Sequence, residues 1–193
     1  MLTIKKRQDK RVVRAFTHKL ADIPNGVTVS VADFTQGTLH EGQAFGKNPK
    51  TGLYHLIKAA VLTADVAAEA TVLPVAKGHN FKVGDVVMLK KGSKAYTITS
   101  ITTNANDNKV DDITVGTALG AGKKGDGLYQ AKAEVATVSE FKYKPVGLAG
   151  ESYDVNTDSN LLINLVTIGQ VKEANIPALG AGLKAELPLI NFI

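Results

Sequence analysis

Between residues 71 and 138 the chain falls into five or six short runs at roughly ten-residue spacing, each closed by a turn rich in Gly, Asn or Pro. Brief alternating runs with frequent turns favour β structure, and their even spacing points to a small barrel or sandwich. Thr71-Val72-Leu73-Pro74-Val75 reads as a strand with proline at a tolerated edge position. Gly84-Asp85 supplies a turn or bulge that launches Val86 to Leu89. Tyr96 to Ile101 alternates, Asn104 to Asn108 is a polar turn, and Asp112 to Val115 forms the next strand. Gly120 to Gly127 is a flexible turn, and Leu128 to Val138 leads out of the unit.

The flanks are less regular. Residues 21–53 are turn-rich around one alternating strand, Val27 to Val31. Tyr54 to Val61 fits no single pattern, and Ala64 to Thr71 fits either a helical turn or an edge strand. Asn160 to Ile168 is a strongly apolar run, either a buried central strand or a contact between copies. The closing Leu187 to Ile193 reads as a strand that must be paired or covered. The chain divides on this reading into an N-terminal arm and linker (1–70), a small β-barrel (71–140) and a C-terminal β segment (141–193). The pentapeptide Ala-Leu-Gly-Ala-Gly occurs at 118–122 and again at 178–182, which in a chain rich in Ala and Gly reads as coincidence.

Charge is distributed very unevenly. The first twenty residues hold seven basic side chains and one acid, a net charge of +6. The whole chain is +5, so residues 21–193 sum to −1. A near-neutral body thus carries a basic arm, and a charge block at a chain end is usually an interaction segment. Val12, Val13 and Phe16 fall at helical spacing among the arginines and lysines, so the arm is expected to be extended or partly helical. Its partner is an acidic surface or a nucleic acid.

No chemistry is evident. Without cysteine the chain has no disulfides, thiolate metal sites or cysteine nucleophiles. The charged N-terminus lacks the apolar stretch of a secretory signal, and no run of eighteen apolar residues suggests a membrane span. Gly120 to Gly125 satisfies G-x-G-x-x-G, but a strand-like segment rather than a helix follows it, so phosphate binding is not expected. His18, His40, His55 and His79 lack metal-ligand spacing, and Asp111 and Asp112 should point to opposite faces of a strand. No catalytic, metal or cofactor site is therefore expected, and the chain does not read as an enzyme.

Three stretches carry a family resemblance. They are Lys5-Lys6-Arg7-Gln8-Asp9-Lys10-Arg11, the block Pro74 to Val87 containing Phe81-Lys82-Val83-Gly84-Asp85-Val86-Val87, and the ending from Ile176-Pro177 to Ile193. They resemble head-fibre and capsid-decoration proteins of tailed bacteriophages, in particular those of phages infecting Bacteroides-type bacteria. The resemblance implies a non-enzymatic structural protein on the outer capsid surface of a virion. It also implies the major capsid protein as partner and a homo-oligomer, a homotrimer ahead of a dimer. The capsid contact expected on this basis is Lys5, Lys6, Arg7, Lys10, Arg11, Val12, Val13, Arg14 and Phe16. No membrane partner is expected, and a nucleic-acid-binding barrel with a basic arm is the alternative.

Overall fold

The computed structural model describes residues 14–35, 37–155 and 159–193. With 43% of residues in strands and 7% helical, the protein is mainly β. The first stretch supplies β1 (Phe16–Asp22), β2 (Val27–Val29), β3 (Thr38–Leu39), β4 (Ala44–Lys47), β5 (Tyr54–Leu56) and β6 (Ala59–Val61). The middle supplies β7 (Val72–Ala76), β8 (Val86–Met88), β9 (Tyr96–Thr103), β10 (Val110–Val115) and β11 (Gly127–Gln130). There follow β12 (Pro145–Ala149), β13 (Tyr153–Asp154), β14 (Leu161–Ile163), β15 (Leu165–Val171), the short helix α1 (Gly180–Ala185) and β16 (Ile190–Phe192).

Residues 59–130 build a six-stranded sheet in the order β6-β11-β8-β9-β10-β7. It curls into a half-barrel whose edge strands meet at a single antiparallel bridge, Leu62 to Val75. Proline limits that seam. A strand residue points its N–H and C=O the same way, and the Pro74 carbonyl faces β6, where it accepts the Thr63 N–H at 2.9 Å. The side of Pro74 that lacks a donor therefore lies on the seam, and its pairing with β10 on the other side is intact. The alternation read from the sequence fills the interior: Leu73, Val75, Ile98, Ile113, Val115 and Leu128 are all buried in one cluster.

A second, eight-stranded sheet runs β1-β15-β12-β4-β5-β2-β14, with β16 added parallel to β15. Its strands come from both flanks of the chain, so the division at residues 70 and 140 does not follow the hydrogen bonding. The described part of 1–70 forms six strands rather than a linker, five of them paired with one another or with the C-terminal segment. The partly helical reading also ends at Phe16, because Phe16 to Asp22 pair with Val166 to Val171 as β1 and β15. Tertiary pairing overrides the weak helical spacing there. The apolar run 160–168 is two strands. Asn164 breaks it by accepting the Gly150 N–H on its carbonyl, while its own N–H donates to the Tyr153 hydroxyl.

The two sheets share one continuous strand path, since only Ile57 and Lys58 separate β5 from β6. Lys58 is buried at this crossing, and its Nζ lies 2.7 Å from Asp85 Oδ2. Asp85 also accepts the Lys82 N–H at 2.8 Å and, on its other oxygen, the Gln130 amide at 2.7 Å. The Gly-Asp turn thus serves two purposes, because Gly84 at φ +92° makes the bend and Asp85 neutralises the crossing lysine. A further core cluster spans both sheets, joining Phe16, Leu148 and Val171 to Met88, Tyr129 and Phe141. Helix α1 closes it: the Gly182 N–H donates to the Tyr129 hydroxyl at 2.9 Å. Gly180 has φ +69°, and a Cβ there would sit 2.4 Å from that hydroxyl oxygen. The other Ala-Leu-Gly-Ala-Gly copy, 118–122, is a loop, so the two copies share letters and not structure.

Asp85→Ala leaves the Lys58 ammonium buried and unpaired, and is expected to cost about 3–5 kcal/mol in urea unfolding. Lys58→Met removes the charge instead of its partner and should cost clearly less. Equal losses for the two variants would remove the ion pair from this role.

Candidate interaction surfaces

The root of the arm is held firmly. Glu41 is buried, and its carboxylate accepts the N–H of Ala15 at 3.1 Å and of Phe16 at 3.4 Å. Buried N–H groups need partners, and a carboxylate is a strong one. Ala15 accepts from the Lys172 N–H at 2.9 Å, and Asn175 donates to the Arg14 carbonyl at 2.9 Å. Glu41 is itself fixed, its N–H donating to the Ser152 hydroxyl at 2.9 Å. Gly42 follows at φ +84°, where a Cβ would collide with Ile176. Of the expected capsid contacts, Phe16 is buried in the core cluster and Arg14 is exposed. Lys5, Lys6, Arg7, Lys10, Arg11, Val12 and Val13 lie outside the described residues.

Beside this root opens a cleft of about 660 Å³, lined by His40, Glu41 and Ser152 on one side and Lys77 and His79 on the other. His79 Nδ1 accepts the Phe81 N–H at 3.2 Å, which places the ring proton on Nε2. That nitrogen is 3.4 Å from Asp111 Oδ2 and makes no hydrogen bond. Burial holds the His79 imidazole below its usual range, while Asp111 opposes the shift. Asp111 faces His79 and Lys77, and Asp112 instead accepts from the Asn104 amide, so the two carboxylates diverge as the strand register requires. Among the described residues no three His, Cys, Asp or Glu gather as metal ligands, and no helix is long and apolar enough to cross a membrane.

The glycine-rich turn is occupied by the protein itself. The Lys124 N–H donates to Asp65 and the Lys123 N–H to Asp126, both at 2.8 Å. The Lys124 amide and the Lys123 side chain hold the Asp65 carboxyl below its ordinary range. Backbone donors that would cradle a phosphate are already spent on carboxylates.

A second cleft, about 690 Å³, lies where the two sheets adjoin. Lys47 and Lys50 reach it from the β4–β5 hairpin, Lys91 and Lys132 from loops beyond the half-barrel strands β8 and β11, and Lys142 and Lys144 from the segment crossing to β12. Glu140 and Glu186 also line it, leaving an excess of four positive charges. Only Lys91 is ion-paired, to Glu186 at 2.7 Å; the other five have no carboxylate within salt-bridge distance among the described residues. Tyr143 forms part of the wall, stacked on His55 with ring centroids 4.3 Å apart and with Lys142 Nζ 5.6 Å from its ring centre. Burial raises the Tyr143 phenol, with Asp33 adding to the shift, so it stays neutral. Sequence reasoning missed this cleft, because its lysines are spread over nearly a hundred residues and meet only in the fold.

No family model, no curated protein and no solved structure matches the chain.

His79 gives the fold a pH dependence. Its folded-state pKa is lowered, so the unfolded chain binds the proton first and stability falls as pH drops below about 6.5. His79→Phe should flatten the stability profile below about pH 6.5, relative to wild type, in urea titrations. An unchanged profile would show that His79 does not carry that dependence.

Proposed function

We propose that this protein is a structural virion component, a head-fibre or decoration protein seated on the outer surface of a phage capsid as a homotrimer. The observation that supports this best is the clamp at the arm root. Glu41, Lys172 and Asn175 fix residues 14–16, so the basic sequence that precedes them is tethered at one defined point. An arm so held suits a fixed docking surface. The seven basic residues among the first twenty suit an acidic one, here the major capsid protein. Exposed ion pairs contribute about 0–1 kcal/mol each, so the arm anchors a copy through their number. Arg14 belongs to that contact, while Phe16 supports it from within the fold.

The contact between copies is assigned to the sheet edge where β1, β15 and β16 run together. Leu20, Leu189 and Ile193 stand 75%, 62% and 54% exposed there, although they are large and apolar. Leu20 and Leu189 flank β15 near Gly169, which pairs with Lys19 on one side and donates its N–H to the Leu189 carbonyl on the other. Within the apolar run 160–168, the β15 part is enclosed by neighbours, whereas β14 forms the opposite edge of the sheet with Leu162 63% exposed.

Deleting residues 2–13 should leave the oligomer intact by light scattering and abolish cosedimentation with capsids. Undiminished capsid occupancy by the deletion variant would overturn the assignment. A monomer that binds duplex DNA at low salt and releases it at high salt would favour the nucleic-acid module instead.

A further inference from the structure

The lysine cleft gathers six lysines, of which only Lys91 is ion-paired among the described residues, and the arm–capsid contact makes no use of it. Lysines converge on it from both sheets and from the segment between them. Like charges so gathered repel one another and reduce stability, and only one of the two nearby glutamates relieves a lysine. Sites at the junction of two packed units are also where ligands preferentially bind.

We propose that this cleft docks an extended acidic polypeptide segment carrying Asp or Glu at intervals. Every cation lining the cleft is lysine, a flexible point charge that can meet carboxylates arriving in varied geometry, and the excess of four positive charges calls for an acidic partner. The aromatic arrangement disfavours single-stranded nucleic acid, which needs open ring faces for its bases. Tyr143 has His55 stacked on its ring and Lys142 over it, and Phe141 is buried against Tyr129. Pro49, Pro145 and Val146 provide an apolar wall between the lysines, suited to the aliphatic residues that separate acids in a peptide. A partner with one or two charges gains little from exposed lysines, so the segment must present several carboxylates together.

The test uses full-length protein and two labelled probes read by fluorescence anisotropy: a peptide of alternating glutamate and alanine, and oligothymidylate of equal length. The peptide should bind and weaken as salt rises. Combining Lys132→Glu, Lys142→Glu and Lys144→Glu should weaken it by at least about tenfold, with the unfolding midpoint unchanged. Combining Glu140→Gln with Glu186→Gln frees Lys91 and should tighten it by about two- to threefold. Replacing Lys5, Lys6, Arg7, Lys10 and Arg11 with glutamine should leave peptide affinity within about twofold, which separates this cleft from the arm. Unchanged peptide binding in the triple variant would overturn the proposal, as would loss of binding on neutralising the arm. Oligothymidylate that binds more tightly than the peptide, and is lost in the triple variant, would overturn it in favour of a nucleic-acid groove.

Discussion

The Lys58–Asp85 pair is the interaction on which the arrangement of the two sheets depends. Lys58 sits where one strand path leaves the eight-stranded sheet and enters the half-barrel. A lysine buried there is tolerable only with a fixed counter-charge. Asp85 supplies it while holding the turn before β8 through Lys82 and the end of β11 through Gln130. One carboxylate therefore sets the relative positions of three segments far apart in sequence. The interior strands around it are plain apolar alternation and could be rearranged among themselves more freely than this corner.

That corner also explains why part of the fold was legible in the sequence. The strands from β7 to β10 show because their alternation is local, and because the glycine turn after β8 and the asparagine turn after β9 join neighbours in the sheet. The Gly84-Asp85 signal is likewise a local one. The pairing of β1 with β15 is not, because its partners are some 150 residues apart and neither strand carries a mark of the other. Helix α1 escaped for a different reason. Gly180-Ala181-Gly182 has poor intrinsic helix propensity, and the helix exists because Tyr129 and the core cluster receive it. The break at Asn164 is also set from outside, by Tyr153 and Gly150.

The charge pattern shows the same divide between local and folded information. The arm is obvious in the sequence because its cations are contiguous. The lysine cleft is invisible there, since Lys47 and Lys144 become neighbours only when β4 and β12 pair. A net charge near zero over residues 21–193 thus describes the sum and not the surface. There are thus two basic regions, one contiguous in sequence before the clamped residues 14–16 and one built into the joint between sheets.

The position of β15 bears on how the protein is made. Its neighbours are β1 from near the start of the chain and β12 and β16 from near its end. Residues 59–130 contain every strand of the half-barrel, so that unit has all its partners once synthesis passes β11. Strand β1 emerges earliest and has nothing to pair with until β15 appears. Phe16 lacks its pocket until β15 and the rest of its core cluster have been made. The charges around it suit that wait: a strand end surrounded by cations stays hydrated and resists premature pairing with other nascent chains.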